Sequence, residues 1–188
     1  MAIFSTTIED RPICLTAIGY GSSIFKDANG PDMALEIERK FLVANDSWRH
    51  SAIRRVHIRD GLVVTDTVRK VRIRISDEYA TIAVKGPRAG ITRVEFGYAI
   101  PLSDAQEIIR TLPQERVLEK WRHLVPFEGA NWEVDVYEGL LKGVVLAEIE
   151  MQTPNHHLKC PPWIGQEVTG NPKYKKVNMA TERAMAVV

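Results

Sequence analysis

The sequence has little of several features that would point to familiar classes of protein. Its 188 residues include only two cysteines, Cys14 and Cys160, and these have no CxxC spacing. Neither a disulfide framework nor a cysteine-based zinc site is therefore expected, and a reducing, cytoplasmic setting is favoured. No apolar run approaches the ~20 residues that span a bilayer, so we expect no membrane partner.

An excess of either sign of charge is also missing. The 25 Lys and Arg residues are matched by 24 Asp and Glu residues, which gives a formal net charge of +1. Surfaces that bind nucleic acid usually show a clear basic excess, so no nucleic-acid partner is expected. The balance still allows a locally basic site whose charge is offset by neighbouring carboxylates. The length suits one domain with its own core.

The first 32 residues differ from the rest of the chain. They show mixed polarity without a sustained period, and several glycines and prolines interrupt them. The charged residues at 9–11 come before any apolar core of a signal peptide has formed. We expect residues 1–32 to be a flexible, dispensable leader, with translation able to start at Met33. Residues 33–188 are expected to form a single domain.

Seven later segments alternate between charged and apolar residues. In the first, Glu36, Glu38 and Lys40 alternate with residues that include Ile37 and Phe41. Because side chains two apart in a strand point to the same face, each segment places its charges on one face. The basic members are Lys40, Arg72, Arg74, Lys85, Arg93, Lys120 and Arg122. The acidic members are Glu36, Glu38, Glu95, Glu133, Asp135, Glu148 and Glu150.

One clear helix interrupts the strand patterns. Ser103 and Gln106 have the spacing of a capping box, apolar residues follow at helical intervals, and Pro113 ends the helix. Residues 86–90 contain glycine and proline and predict a turn. The tail at 173–186 is weakly helical. Many strands around one helix, without a βαβ alternation, indicate an antiparallel sheet or barrel.

The charged faces have two interpretations. If the apolar faces packed inward, the charges would lie at the surface and would need no function. If the charged faces turned inward, the sheet would close into a barrel with a hydrated lumen, and helices and loops would cover its apolar exterior. Unpartnered buried charges cost several kcal/mol per ion, so such a lumen requires pairing, water, metal or ligand.

The order of the charges along the chain favours a functional lumen. Carboxylates cluster in the first strand and in the last charged segments, whereas cations dominate between them. Adjoining carboxylates repel each other, and Mg²⁺ or Mn²⁺ relieves that repulsion with hard oxygen ligands. Arginine and lysine supply the donors that phosphate oxygens need. A face that offers both is typical of a site for a metal-chelated polyphosphate.

The charged segments also carry recognisable motifs. They read ExExK at 36–40, VRIR at 71–74, AVK at 83–85, RVEF at 93–96, EKWR at 119–122, WEVDVY at 132–137 and AEIE at 147–150. In order and spacing they resemble the CYTH family, also called triphosphate tunnel metalloenzymes. The resemblance covers about residues 33–180. ExExK alone is a weak motif, but seven matched segments in order are specific.

The resemblance implies an α+β, mainly β fold: an antiparallel eight-stranded barrel that forms a triphosphate tunnel with flanking helices. The implied metal ligands, for Mg²⁺ or Mn²⁺, are Glu36, Glu38, Asp135, Glu148 and Glu150. The implied substrate-binding residues are Lys40, Arg72, Arg74, Lys85, Arg93, Lys120 and Arg122. Glu95 and Glu133 are further tunnel residues. Water would attack the terminal phosphorus, with Lys40, Glu36 and Glu38 as the catalytic candidates.

Several departures from the family pattern leave alternatives open. Gly97 stands where relatives commonly carry another acidic residue, and Asp60 stands in place of a glutamine. Lys173 is expected to be a solvated surface lysine. Three functions follow: hydrolysis of inorganic triphosphate or a related linear triphosphate, a class IV-type adenylate cyclase, or a polyphosphate-binding module without turnover. The resemblance also allows a homodimer, although no segment of the sequence indicates a dimer interface.

Overall fold

The computed structural model describes residues 35–65, 68–77 and 79–186, so the leader predicted at 1–32 lies outside the described residues. The strands are β1 (Leu35–Val43), β2 (Arg54–Thr65), β3 (Lys70–Ser76), β4 (Tyr79–Ala89), β5 (Thr92–Ile100), β6 (Val117–Phe127), β7 (Ala130–Tyr137), β8 (Val145–Glu150) and β9 (Ile164–Glu167). The helices are α1 (Leu102–Thr111) and α2 (Lys176–Met185), with short 3-10 helices at Asp46–Ser51, Gln114–Arg116, Gly139–Leu141 and Pro172–Tyr174. No helix in these three ranges has the length and apolarity to cross a membrane.

Eight antiparallel strands close into a barrel. Their order is β5, β4, β3, β2, β6, β7, β8 and β1, and β1 then pairs back with β5. The closing register places Leu35 opposite Val94, while β9 pairs with the far end of β1, where Phe41 faces Glu167. The predicted mainly β, eight-stranded antiparallel barrel is therefore confirmed.

The charged faces of the strands line the inside of the barrel. Glu36, Glu38 and Lys40 of β1 face a central cavity, whereas Phe41 packs on the exterior with its ring 5.4 Å from that of Trp132. Trp48 and Trp163 belong to the same exterior cluster, as do buried residues of β6 to β8. Of the two interpretations of the alternating segments, the charged lumen is therefore the one that the fold adopts.

Helix α1 covers another part of the exterior. Ile109 packs with Ile73 of β3, and the helix approaches closely at Gly61, where a Cβ atom would lie only 2.9 Å from Ile109 Cγ1. The predicted helix is present, but its predicted capping box is wrong. Pro101 occupies the N-cap position, two residues before Ser103, and no described side chain caps the helix there.

Helix α2 closes one end of the lumen with an apolar layer. Its Met179 and Ala180 pack against side chains that share the inner strand faces with the charged residues. Two of these are Leu118, two positions from Lys120, and Leu146, two positions from Glu148. The lumen is thus apolar where α2 packs and charged beyond that layer.

The turn predicted at 86–90 is displaced. Strand β4 continues to Ala89, with a shift in register between Lys85 and Arg88. Pro87 has no N–H to donate to a ladder, and such a shift is where a sheet tolerates proline. The chain turns instead at Gly90, whose φ of +60° suits glycine. As a result, Arg88 becomes a strand residue that lines the cavity.

Candidate functional site

A cavity of about 440 Å³ occupies the charged part of the lumen. Among the described residues, ten lysines and arginines and six glutamates line it, so cations exceed carboxylates by four. The whole chain carries a net charge of only +1, which means that positive charge is concentrated here. A cleft lined by an excess of one sign of charge attracts ligands of the opposite sign.

Twelve of the fourteen residues predicted for the tunnel line this cavity. They are Glu36, Glu38, Lys40, Arg72, Arg74, Lys85, Arg93, Glu95, Arg122, Glu133, Glu148 and Glu150. The other two, Lys120 and Asp135, lie behind the lining. Gly97, the position of the missing carboxylate, does not line the cavity, and a Cβ atom there would meet no atom of the described residues within 4 Å.

Strands β1 and β8 bring their acidic residues together. Glu38 lies opposite Glu150 in the register, and Lys40 lies opposite Glu148. Facing carboxylates are unfavourable unless a cation lies near them. Lys40 Nζ lies 2.9 Å from Glu148 Oε1, yet this buried oxygen has no hydrogen-bond partner among the described residues. Burial disfavours charged Lys40, but Glu148 and Glu38 outweigh it and raise its pKa.

Glu36 is the centre of a second group of charges. Its Oε1 accepts a hydrogen bond from Lys85 Nζ at 2.9 Å, and its Oε2 accepts one from Arg93 Nε. Lys85 also donates to Glu95 Oε2 at 2.6 Å. Burial favours neutral Glu36, but Lys85 and Arg93 outweigh it and lower the pKa of this carboxyl. Burial and Arg72 lower the pKa of Lys85 to about 8, despite its two carboxylate partners.

Asp135 lies behind the cavity wall with two cationic partners. Arg122 donates to both of its oxygens, at 2.7 and 2.8 Å, and Lys120 donates to Oδ2. Asp135 is 0% exposed and Lys120 is 1% exposed. Although burial raises the pKa of Asp135, Arg122 and Lys120 lower it to about 2. Arg122 itself reaches the cavity and also donates to Glu148 Oε2 at 2.8 Å.

The sequence analysis missed two further residues of the wall. Asp60 of β2 accepts two hydrogen bonds from Arg74, at 2.7 and 2.9 Å, and lies 3.8 Å from Arg72 Nε. Arg88 lies 3.5 Å from Glu38 Oε1. For Asp60, the sequence signal was that an acidic residue stands in place of a glutamine. The segment with Pro87 reads as a turn, so the sequence carries no signal for Arg88.

Three lysines that were not predicted also line the cavity: Lys70 at the start of β3, and Lys175 and Lys176 where α2 begins. Lys173, by contrast, is exposed and does not line the cavity, as expected for a solvated lysine. The three lysines are distant in sequence from the ExExK segment, and only the closure of the barrel brings them near it.

Comparison with known proteins identifies the family. Residues 34–182 match the family model described as the CYTH domain, which covers most of the chain. The chain belongs to the CYTH domain family. In this CYTH domain the match begins one residue before β1 and ends within α2, so the family region contains the whole barrel.

Two curated relatives and one solved structure are similar over most of this CYTH domain. A protein named inorganic triphosphatase from Acetivibrio thermocellus is 42% identical over 147 residues, which cover 78% of this chain and 94% of the relative. A protein of the same name from Nitrosomonas europaea is 30% identical over 151 residues, which cover 77% and 96%. The crystal structure of an inorganic triphosphatase superposes with a TM-score of 0.57 at 29% identity, covering 77% of this chain and 93% of that one.

Proposed function

We propose that this CYTH-domain protein is a metal-dependent hydrolase of inorganic triphosphate, or of a related linear triphosphate, that releases orthophosphate. The observation that carries the proposal is the cavity in the lumen, which ten cationic and six acidic side chains of the described residues line. A triphosphate with a chelated metal needs both kinds of group, because its oxygens accept from cations and its metal binds carboxylates. The two similar proteins named inorganic triphosphatase support the same activity.

The acidic residues of the wall fit Mg²⁺ or Mn²⁺. They offer only oxygen donors, which these hard cations prefer. Glu38 and Glu150 face each other across β1 and β8, and Glu148 Oε1, although 2.9 Å from Lys40 Nζ, has no hydrogen-bond partner within the described residues. We assign these three as the core of the cation site. Glu36 and Asp135 can coordinate the cation only when the lysines and arginines that now bind these carboxylates donate to phosphate instead.

A bound cation would make a coordinated water more acidic and would neutralise part of the charge on the phosphates. The remaining chemistry belongs to the protein. Residues that bind the substrate phosphates are Lys40, Arg72, Arg74, Lys85, Arg93 and Arg122. Arginine has five N–H groups, so Arg74 keeps donors for phosphate while its Nε and one other nitrogen are held by Asp60. Lys120 acts behind the wall, where it shares Asp135 with Arg122.

The reaction is attack of water on the terminal phosphorus. A bond forms from the water oxygen to phosphorus, the bridging P–O bond breaks, and pyrophosphate leaves. Glu38 or Glu36 orients the water and accepts its proton. Lys40, held beside Glu148, neutralises charge on the phosphoryl group in transfer. The arginines that remain on the wall stabilise the charge that develops on pyrophosphate.

A direct assay tests this function. The purified protein is incubated with tripolyphosphate or ATP, with Mg²⁺ or Mn²⁺ or with chelator, and orthophosphate and cyclic AMP are measured. We expect orthophosphate from tripolyphosphate with metal and none with chelator. Cyclic AMP from ATP, without phosphate release from tripolyphosphate, would show an adenylate cyclase instead. Neither product, in a protein that still binds tripolyphosphate, would show a binding module.

We also propose that residues 1–32 are dispensable and that residues 33–188 act as one domain in a reducing cytoplasm. Support comes from the family match, which begins at residue 34, and from β1, which begins at Leu35. Cys160 is a free, exposed thiol. A protein shortened to begin at Met33 should keep the activity of the full chain. Loss of activity or solubility would contradict this. Sedimentation of either protein would show whether it forms a homodimer.

A further inference from the structure

Three lysines of the cavity differ from its other cations in having no carboxylate of their own. Within residues 35–65, 68–77 and 79–186, neither Lys70 nor Lys175 makes a salt bridge. Lys176 Nζ is 4.0 Å from Glu148 Oε1, but Glu148 already pairs with Lys40 and Arg122. We call Lys70, Lys175 and Lys176 the lysine cluster. Its charges are not balanced within the described protein.

Two of the three lysines lie on regular structure, and Lys175 immediately precedes α2 as its N-cap residue. Lys70 is the first residue of β3 and lies opposite Lys85 in the register, an arrangement that is unfavourable for like charges. Lys176 begins α2, which is fixed to the barrel by the packing of Met179 and Ala180. Burial together with Arg93, Lys175, Lys40 and Lys176 lowers the pKa of Lys70 to about 8. Without a ligand, Lys70 therefore lies among several positive charges.

The surroundings of the cluster favour an anion rather than a metal-bound group. The chain segment 169–177 contributes seven lining residues, and none of them is acidic. The stretch 68–71, which carries Lys70, contributes two valines and no acid. A phosphate group satisfies several ammonium groups at once, because it has strong acceptor oxygens and more than one negative charge. A neutral nucleoside offers no such charge.

We propose that the lysine cluster is an additional phosphate subsite beside the paired charges of the cavity. The protein would then prefer linear inorganic chains of four phosphates over triphosphate. Three phosphates lie among the paired cations of β1, β3, β4, β5 and β6, and the fourth reaches Lys70, Lys175 and Lys176. This inference rests on the proposed function, since it extends the same substrate site.

Equilibrium binding to the full-length protein tests the subsite. Titration calorimetry with chelator present measures the affinities for tripolyphosphate, linear tetraphosphate and ATP without metal-dependent turnover. We expect tetraphosphate to bind at least about tenfold tighter than tripolyphosphate, the scale of one charge-assisted contact. In the double variant Lys70→Gln, Lys175→Gln this preference should fall below about twofold, while the affinities for tripolyphosphate and ATP change less than about threefold.

Lys173→Gln is the matched control. It removes the same charge from the same segment, and Lys173 and Lys175 are both exposed, but Lys173 does not line the cavity. It should leave all three affinities unchanged. Thermal denaturation adds a check on folding: because the cluster lysines repel each other, the double variant without ligand should melt at the same temperature as the wild type or higher.

Three results would overturn the subsite. They are an equal loss of affinity for all three ligands in the double variant, an equal effect of Lys173→Gln, or no preference for tetraphosphate in the wild type. A marked fall in melting temperature would assign Lys70 and Lys175 a structural role instead. The proposed hydrolase is tested separately. Preference for tetraphosphate without metal-dependent phosphate release would support the subsite and refute the hydrolase.

Discussion

Two regions of the barrel wall balance their charges in different ways. Behind the cavity, Asp135 holds Lys120 and Arg122, and Asp60 holds Arg74, so that each buried charge has a close partner of opposite sign. We call these five residues, Asp60, Arg74, Lys120, Arg122 and Asp135, the paired wall. In the lysine cluster, by contrast, no carboxylate is available to Lys70 or Lys175 within the described residues. The paired wall fixes the geometry of the fold, whereas the cluster keeps its charge available for a ligand.

The largest effect should come from breaking the paired wall. Asp135→Ala leaves Lys120 and Arg122 buried without their shared carboxylate, and such changes cost about 3–5 kcal/mol of unfolding free energy. Urea denaturation measures the loss. Lys159→Gln, which removes an exposed ion pair with Glu128, is the control and should have no detectable effect. A loss at Asp135 no larger than that of a surface pair, under about 1 kcal/mol, would show that the paired wall does not stabilise the fold.

A second test removes charges that face the ligand. Lys40→Ala and Glu38→Ala should each cut turnover of tripolyphosphate at least about a hundredfold, the scale seen when a preorganised electrostatic contact is lost. The assay is metal-dependent release of orthophosphate, with melting curves to confirm that each variant folds. Lys159→Gln should keep the wild-type rate. Near-normal turnover in either cavity variant would place the chemistry elsewhere.

The lysine cluster should also respond to pH. The pKa of Lys70 is about 8 because burial and four surrounding cations, Arg93, Lys175, Lys40 and Lys176, disfavour its charge. A bound phosphate stabilises the charged form, so affinity for tetraphosphate should fall as pH rises through 8. The fall from Lys70 is at most about tenfold per pH unit, the limit for one proton.

Calorimetry at pH 7, 8 and 9 in the wild type and in Lys70→Gln isolates this contribution. The wild type should lose more affinity with rising pH than the variant does, and the difference belongs to Lys70. Identical pH profiles in the two proteins would show that Lys70 does not contact the ligand.

The smallest effect is expected at Gly97. A side chain there has open space, since no atom in the described part of the chain lies within 4 Å of an added Cβ, and the position does not line the cavity. Gly97→Glu should therefore change turnover less than about threefold, as is usual for exposed sites. A much larger change, in the same phosphate-release assay, would mean that the missing carboxylate matters to the site.

The sequence predicted most of the charged residues of the lumen. Strands such as β1 and β8 alternate charged and apolar residues, so both their structure and their inward faces follow from a period of two. Strand β2 was not predicted because its polar residues lie mainly on the outer face of the barrel, the opposite of the arrangement in the other strands. Its outer face carries Arg55 and His57, which pack on the ring of Trp121, while its inner face is largely apolar.

The lysine cluster could not be predicted for a different reason. Lys70 and Lys176 are more than a hundred residues apart in the chain, and each reads as an ordinary solvated lysine. Only the closure of the barrel and the packing of α2 bring them to one cavity. Arg88 was missed because a proline next to a glycine is typical of a turn, and the register shift that admits Pro87 into a strand depends on tertiary pairing.

The most direct test of the account is the release of orthophosphate from tripolyphosphate by the purified protein, with Mg²⁺ or Mn²⁺ and with chelator. We expect release that requires the metal and is lost in Lys40→Ala while the variant stays folded. Release that persists with chelator, or that continues undiminished in Lys40→Ala, would contradict the claim that the charged lumen is a metal-dependent triphosphate site.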